Sequence, residues 1–137
     1  MSKSIPTIQK YMTVLPHTIG IDQSLAFAEK VMSQYHVRHL PVLDAGRLVG
    51  ILSDRDIRLV ESFKDVEAEK VKVEEAYSPD PYITKPTASL SEVCSEMIRN
   101  KYGCAIVEDH HKLVGIFTWI DALKAFSDLM ESTRFKH

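Results

Sequence analysis

The sequence predicts an α+β (α/β) fold in which two β-α-β-β-α repeats pack with pseudo-twofold symmetry. The first observation behind this prediction is an internal repeat. Sliding the 137-residue chain by 65 residues places residues 48–51 on residues 113–116 as the same tetrapeptide, Leu-Val-Gly-Ile. The second is that this register holds over most of the chain without a gap, so that Asp56 falls on Asp121. The third is that each copy carries a helical stripe and two apolar runs of strand length. Paired repeats leave clefts between them, and a function is expected there.

The first repeat, residues 8–62, begins with a strand and a helix. Residues 18–21 predict a short strand, and Asp22 is the expected cap of the helix that follows it. Apolar residues then recur at spacings of three and four, which is the pattern of one buried helix face. These residues are Leu25, Ala28, Met32 and Tyr35.

A hairpin and a second helix complete the first repeat. Residues 39–43 and 48–52 are two apolar runs of strand length, and the loop of residues 44–47 joins them. Gly46 gives this loop a residue that adopts positive φ without strain, as tight hairpin turns require. Ser53 then opens the second helix.

The second repeat, residues 73–130, follows the same order. Thr87 is the expected helix cap. The apolar stripe of that helix is formed by Leu90, Val93 and Met97. Residues 104–107 and 113–117 are the predicted strands, and Thr118 opens the last helix.

A charged stretch, residues 61–75, lies between the repeats and is rich in Glu and Lys. Its low apolar content favours a solvated connector, placed at residues 63–72, over a third domain. The apolar residues within it are Val66, Val71 and Val73. The tail, residues 131–137, is expected to be frayed.

Composition restricts the class of protein. A content of 45% hydrophobic and 26% charged residues is ordinary for a soluble globular protein. The formal net charge of −2 gives no basic field that would attract nucleic acid or an anionic membrane surface. No apolar run approaches the ~20 residues that span a bilayer, and the N-terminus lacks the long apolar run of a signal peptide. The two cysteines form no CxxC pair, so a reduced, cytoplasmic setting is expected.

The strongest local pattern is shared by residues 50–56 and 115–121. Both read Gly, two apolar residues, a hydroxyl residue, two variable residues and then Asp. Together with the tandem repeat and the strand entry Arg-His-Leu-Pro-Val-Leu-Asp at residues 38–44, this pattern resembles a tandem pair of cystathionine-β-synthase (CBS) domains. The resemblance covers nearly the whole chain. It implies a regulatory module with no obligatory cofactor that binds AMP, ADP, ATP, S-adenosylmethionine or a related adenosine ligand.

The shared motif has a physical rationale as a nucleotide site. A strand that runs into a helix directs the N–H groups and the dipole of the helix N-terminus towards the cleft, which favours phosphate. The resemblance assigns a hydroxyl contact to Ser53 or Thr118, and the binding of vicinal ribose hydroxyls to Asp56 or Asp121. The same Ser/Thr-x-x-Asp spacing is also that of a capping box, in which the acid accepts the N–H of the cap residue. Both interpretations stay open on the sequence alone.

The resemblance implies two unequal clefts, each drawing residues from both repeats. Cleft A takes Arg38, His39, Ser53, Arg55, Asp56, Thr84 and Tyr102. Cleft B takes Ile19, Val37, Cys104, Thr118 and Asp121. Cleft A offers three potential cations at positions where cleft B has Gly103, Cys104 and Ile120. Since charge-assisted contacts contribute roughly 1.5–3 kcal/mol each, a polyphosphate is expected to occupy cleft A first.

Other reactive side chains have simpler interpretations. His110 and His111 lie in the hairpin loop of residues 109–112, where no third metal ligand is evident, so a solvated loop is favoured and no metal site is predicted. Cys94 and Cys104 are interpreted as small buried hydrophobes rather than catalytic thiols. The last helix carries residues that line either a dimer face, as the resemblance implies, or the core. These are Trp119, Leu123 and Phe126.

Several classes of function compete. The favoured interpretation is a ligand-sensing regulatory module that binds an adenosine-containing molecule, forms a homodimer and acts on a separate effector protein. The alternative is a structural or dimerisation protein whose clefts have lost binding, and the intact Arg38, His39, Ser53 and Asp56 argue against it. An enzyme is not predicted, because no nucleophile–base pair and no cluster of metal-binding carboxylates stands out. Binding of nucleic acid or of a membrane is not predicted, because no basic stripe is present.

Overall fold

The structure is a computed structural model that describes residues 5–134, with side chains described as far as residue 132. These residues form two compact units. The N unit is Pro16–Pro81, and the C unit consists of residues 5–15 and 82–134.

In chain order the elements are β1 (Thr13–Val14), β2 (Ile19–Gly20), α1 (Leu25–Tyr35), β3 (His39–Asp44), β4 (Arg47–Ser53), α2 (Asp54–Glu61), β5 (Ser78–Pro79), β6 (Ile83–Thr84), α3 (Leu90–Asn100), β7 (Cys104–Asp109), β8 (Lys112–Thr118) and α4 (Trp119–Arg134). Single 3₁₀ turns lie at Ile8–Lys10 and Val73–Glu75.

The predicted mixed fold and its main elements are confirmed. The four long strands, β3, β4, β7 and β8, are one or two residues longer than the apolar runs that predicted them. The strand predicted at residues 18–21 is reduced to Ile19–Gly20. The last helix reaches Arg134, so the tail that was expected to be frayed from residue 131 is helical as far as it is described. Residues 135–137 lie outside the described part of the chain.

Each unit is built on one four-stranded sheet, in the order β2-β3-β4-β5 in the N unit and β1-β8-β7-β6 in the C unit. The hairpins β3–β4 and β7–β8 are antiparallel, and a parallel strand, β2 or β6, flanks each on one side. A two-residue antiparallel strand, β5 or β1, covers the other side. The units therefore differ from the sequence repeats at their margins, because β1 precedes the first repeat's helices yet completes the sheet of the C unit, and β5 completes the sheet of the N unit.

The glycine of each motif is explained by these covering strands. A Cβ on Gly50 would overlap the carbonyl oxygen of Ser78. A Cβ on Gly115 would lie 2.7 Å from the sulfur of Met12 and 3.0 Å from the carbonyl oxygen of Thr13. Glycine recurs in the motif because β5 and β1 pack directly on its backbone.

The caps of α1 and α3 differ from the predicted ones. Ser24 caps α1 and Ser89 caps α3, and the hydroxyl of each accepts the backbone N–H three residues on at 3.1 Å. The predicted caps, Asp22 and Thr87, were wrong, because each lies two residues too early to reach an unpaired N–H of the first turn.

Most side chains of the charged stretch between the repeats are exposed, and its backbone is tied into the N unit. Val73 is fully buried in the N-unit core. The carbonyls of Val71 and Ala68 accept the N–H groups of Leu25 and Ala26 at 2.8 and 3.1 Å. These donors belong to the first turn of α1 and have no partner inside the helix. Backbone pairing and the packing of Val73 against the core therefore hold this segment.

The two hairpin turns have the same backbone shape but different residues. Ala45 and Gly46 have φ of 50° and 82°, and His110 and His111 have φ of 52° and 65°. Positive φ at both central residues is the conformation of a tight hairpin turn. The prediction for Gly46 is confirmed, and the second hairpin adopts the same conformation without a glycine.

Each unit buries an apolar cluster of its own. The predicted helix stripes are confirmed by the buried residues Leu25, Ala28, Met32, Leu90, Val93 and Met97. Tyr35, by contrast, is 44% exposed. As the last residue of α1 it lies past the buried face, and its ring stacks on that of His17 at a centroid distance of 3.6 Å.

Candidate functional site

In the N unit, the shared motif forms the start of α2. Ser53 ends β4, and its hydroxyl accepts the Asp56 N–H at 3.0 Å. In return, Oδ2 of Asp56 accepts the Ser53 N–H at 2.9 Å. This reciprocal pair is a capping box, which was one of the two interpretations that the sequence left open. Among the described residues, Oδ1 of Asp56 accepts no hydrogen bond, so one side of the carboxylate stays available.

His39 lies on β3, directly opposite the residue that caps α2. Burial lowers the pKa of its imidazole, and the Asp56 and Asp54 carboxylates oppose this effect only in part. His39 is therefore neutral at pH 7, where it can donate one hydrogen bond and accept another but adds no charge. Arg38 and Arg55, the other two potential cations that the sequence predicted for cleft A, are both exposed.

In the C unit, the carboxylate of the corresponding motif is fully engaged. Asp121 is 4% exposed. Its Oδ2 accepts the Thr118 N–H at 2.9 Å and the Thr118 hydroxyl at 3.2 Å. Its Oδ1 accepts the hydroxyl of Thr13 at 3.1 Å. Both oxygens therefore have partners inside the C unit, whereas Oδ1 of Asp56 has none among the described residues.

Thr13 is the contact residue that sequence reasoning missed. It lies on β1 and reaches Asp121 because β1 covers the edge of β8. Ser78 holds the same place on β5 in the N unit, 65 residues further along the chain. Its hydroxyl forms no hydrogen bond with Asp56, although both residues are described. The internal repeat aligns these two hydroxyl residues but does not indicate that Thr13 alone makes the contact.

Neither cysteine has the surroundings of a nucleophile. Cys104 is buried on β7, opposite Thr118, and burial raises the pKa of its thiol to about 12. Burial also raises the pKa of the half-buried Cys94 thiol. Since the thiolate is the reactive form, both side chains are unreactive at neutral pH.

The remaining predicted site residues are divided between the units. Thr84 and Tyr102 lie in the C unit, where the ring of Tyr102 stacks on that of Tyr82 at a centroid distance of 5.2 Å. Ile19 is buried in the N-unit core, and Val37 packs against that core. Within the N unit, the motif and the strand entry place His39 near Ser53 and Asp56.

The outer face of α4 carries a row of apolar side chains. Asp121 and Ala125 are buried, whereas Trp119, Leu123 and Phe126 are 63–65% exposed. The interpretation of these three residues as core was wrong, because they lie on the opposite side of the helix from its buried positions. An exposed apolar row of this kind is a candidate surface for contact with another protein.

Metal ligands do not converge in the described part of the chain. Within residues 5–134, no three His, Cys, Asp or Glu side chains are placed to hold one metal ion. His110 is exposed, and its Nδ1 lies 3.1 Å from the carboxylate of its neighbour Asp109. Among the helices described, none is both long and apolar enough to cross a membrane.

Sequence comparison finds the pattern of the CBS domain at residues 1–62 and 73–128. An inosine-5′-monophosphate dehydrogenase from Methanocaldococcus jannaschii is 31% identical over 109 residues, which are 78% of this chain and 21% of that protein. An L-aspartate semialdehyde sulfurtransferase from the same organism is 27% identical over 128 residues, which are 92% of this chain and 24% of that protein. The chain thus spans about a fifth to a quarter of the length of these two relatives.

Solved structures share the whole fold. The AcuB protein from Vibrio cholerae matches with a TM-score of 0.85 at 29% identity, covering 98% of this chain and 99% of that one. The CBS domain pair of protein MJ0100, in complex with 5′-methylthioadenosine and S-adenosyl-L-methionine, matches with a TM-score of 0.82 at 24% identity, covering 91% and 98%. CBSX2, in complex with AMP, matches with a TM-score of 0.78 at 23% identity, covering 89% and 97%. At the identities of these last two, the likeness is one of fold.

Proposed function

Because this chain belongs to the CBS domain family, we propose that it is a regulatory module that binds an adenosine-containing ligand and acts on a separate effector protein. Two proteins of the same fold support this proposal. One binds 5′-methylthioadenosine and S-adenosyl-L-methionine, and the other binds AMP. The common part of these ligands is adenosine, which is the part that a ribose-binding carboxylate would recognise.

The observation that carries the proposal is the open side of the Asp56 carboxylate. Oδ2 holds the capping box, and Oδ1 is left to accept hydrogen bonds from vicinal ribose hydroxyls. The Ser53 hydroxyl accepts the Asp56 N–H and keeps its own proton to donate to a phosphate. The first turn of α2 adds unpaired N–H groups. Capping and ligand binding are therefore compatible roles of the same pair.

We place the ligand at cleft A in preference to cleft B. In cleft A, the exposed Arg38 and Arg55 supply charge for a phosphate, and Thr84 and Tyr102 are proposed to contact the adenine. In cleft B, the Asp121 carboxylate has no open side. The sequence alone left two outcomes for cleft B, an empty site or a nucleoside-like ligand without phosphate, and with Asp121 engaged we expect it to be empty.

The test is a thermal-shift titration with AMP, ADP, ATP, S-adenosylmethionine and NAD. A ligand at 100 times its Kd adds about 2.7 kcal/mol to stability, which raises the midpoint by several degrees in a domain of this size. We expect one of these ligands to raise the unfolding midpoint of the wild type but not that of Asp56→Asn. Asparagine keeps an oxygen for the Ser53 N–H, so the cap survives while the charge and one acceptor are removed.

Asp121→Asn is the matched control, because it makes the same change in the other repeat and should leave the shift intact. The proposal fails if the folded wild type responds to none of the five compounds. It also fails if Asp56→Asn responds as the wild type does.

We further propose that two copies associate through the apolar row on α4, and that the module acts in the cytoplasm without catalysing a reaction. The exposure of Trp119, Leu123 and Phe126 supports the association. The protonated state of both thiols supports the absence of nucleophilic catalysis. A bound nucleotide should be recovered unchanged after prolonged incubation with Mg²⁺, and a product detected by chromatography would contradict this part.

A further inference from the structure

We propose that Thr13 closes the second motif, so that this chain binds one adenosine-containing ligand and not two. This inference rests on the proposed function, since it concerns which of two similar motifs receives the ligand. The motifs have the same sequence spacing and the same helix start, yet only one of them has a carboxylate with an open side.

The closing contact is the hydrogen bond from the Thr13 hydroxyl to Oδ1 of Asp121, at 3.1 Å. The same hydroxyl lies 3.4 Å from Oδ2, which also accepts both the N–H and the hydroxyl of Thr118. A ribose at Asp121 would have to take the place of Thr13. Loss of a hydrogen bond to a charged group lowers an affinity by roughly tenfold to a hundredfold, which is enough to leave this motif empty when the other is filled.

Thr13 is held in place by the segment around it. Its Cα pairs with that of Ile116 across β1 and β8, and the Leu15 N–H donates to the Val114 carbonyl at 3.2 Å. On the other side, the Tyr11 hydroxyl donates to the Asp128 carboxylate of α4 at 2.7 Å. The backbone of Thr13 is therefore fixed beside Asp121, and the hydroxyl leaves the carboxylate only if the Thr13 side chain rotates or this strand moves.

The N unit supplies the internal comparison. Ser78 stands on β5 where Thr13 stands on β1, and it too carries a hydroxyl, but it makes no hydrogen bond to Asp56 among the described residues. Asp56 is half-buried, whereas Asp121 is 4% exposed. The difference between the two motifs thus lies in the covering strand rather than in the Ser/Thr-x-x-Asp sequence.

The first experiment measures access to the two carboxylates without any ligand. The wild type, Thr13→Ala, Thr13→Ser and Ser78→Ala are labelled with a water-soluble carbodiimide and an amine, and the labelled residues are identified by mass spectrometry. We expect Asp56 to be labelled in all four proteins and Asp121 only in Thr13→Ala. Alanine removes both the donor and the atoms that cover Oδ1, whereas serine keeps the donor and should keep Asp121 protected.

The second experiment measures the number of adenosine molecules bound per chain, by equilibrium dialysis with radiolabelled adenosine. We expect one equivalent for the wild type, Thr13→Ser and Ser78→Ala, and two for Thr13→Ala. Adding Asp121→Asn to Thr13→Ala should return the number to one. Thermal melting checks that each variant is folded.

Two results overturn the inference. One is labelling of Asp121 in the wild type as readily as Asp56. The other is a folded Thr13→Ala protein that binds no more adenosine than the wild type. A different result separates this inference from the proposed function: if Asp121 becomes labelled only in Thr13→Ala while the wild type responds to none of the five compounds of the thermal-shift test, Thr13 closes that motif and the proposal for cleft A is wrong.

Discussion

At the residue scale, Asp56 and Asp121 occupy the same place in the two repeats but accept hydrogen bonds from different numbers of polar groups. Asp121 is buried and accepts hydrogen bonds from a backbone N–H and two hydroxyls. Asp56 is half-buried and accepts one backbone N–H. Because an unpaired buried donor costs more than an exposed one, which water can reach, the same substitution should have unequal effects at the two positions.

We predict that Asp121→Ala lowers the free energy of unfolding by about 2–3 kcal/mol, and that Asp56→Ala lowers it by about 1 kcal/mol, the usual cost of losing a helix cap contact. Urea unfolding followed by circular dichroism measures both values. Thr13→Val should account for part of the Asp121 loss, because it removes one of the three donors. Equal losses at the two aspartates would show that the burial of Asp121 has no energetic weight.

The carboxyl groups of Glu29 on α1 and Glu61 on α2 should make the stability of the N unit depend on pH. A hydrogen bond with Glu61, burial and the negative charges of Glu61, Asp54 and Glu69 raise the pKa of Glu29 from 4.5 to about 7. A raised folded-state pKa means that the stabilisation from this group is complete below about pH 4.5 and is lost as the pH rises through about 7. The lowered pKa of His39 acts in the opposite sense, because the unfolded chain takes up a proton as the pH falls through its usual value.

We predict that Glu29→Gln is more stable than the wild type at pH 8 and that the difference shrinks towards pH 5. The gain at pH 8 should be at most about 1 kcal/mol, because the pair is largely solvated and screened. Thermal melting between pH 5 and 8 measures it. Glu74→Gln makes the same charge change at an exposed position and should follow the wild type. Parallel curves for the wild type and Glu29→Gln would show that the pKa of Glu29 is not raised in the folded protein.

At the scale of elements, the helix caps give a direct test of where α1 and α3 begin. We predict that Ser24→Ala and Ser89→Ala each lower the free energy of unfolding by about 1 kcal/mol. Asp22→Ala and Thr87→Ala should change it by less than about 0.5 kcal/mol. Chemical denaturation of the four variants measures these values. A larger loss at Asp22 or Thr87 than at the serine of the same repeat would restore the capping assignment made from the sequence.

The elements that the sequence predicted well are those with a periodic apolar pattern. The stripe from Leu25 to Met32 and the four long strands follow from such spacing alone. The caps were missed because Asp22 and Ser24 are both acceptable capping residues, and only the exact start of the helix distinguishes them. Strands β1 and β5 are two residues long and have no pattern to detect. The segment after α2 is held by the burial of Val73 and by backbone carbonyls, and the carbonyl contacts leave no mark in the sequence.

The candidate site was predictable to the same extent. The spacing from Ser53 to Asp56 located the helix start, and the capping box was correctly named as an alternative. The neutral state of His39 depends on burial, which a single sequence does not report. The engagement of Asp121 depends on Thr13, which lies 108 residues away in the chain. Contacts of this kind follow from the tertiary fold and have no local signature.

At the scale of the whole molecule, the apolar row on α4 predicts self-association. We expect the wild type to sediment at twice its 15.6 kDa monomer mass. Leu123→Glu with Phe126→Glu should sediment as a monomer, because two charges would be buried unpaired in the interface. Analytical ultracentrifugation measures both masses. Ile98→Glu is the control, since Ile98 is 77% exposed on α3 and should remain dimeric. A wild type that sediments as a monomer over a 100-fold range of protein concentration would contradict the proposed association.

The placement of β1 and β5 has a consequence for a chain of half this length. In each repeat the first short strand, β1 or β5, pairs with the hairpin of the other repeat. A protein made of a single repeat would therefore have no partner for this strand. Alone, it would expose the edge of its hairpin, and such edges promote aggregation. Two identical half-length chains would cover each other's edges by exchanging these strands, as in a domain-swapped dimer. The full chain is thus the covalently tethered form of a swapped pair, in which the exchange no longer depends on protein concentration.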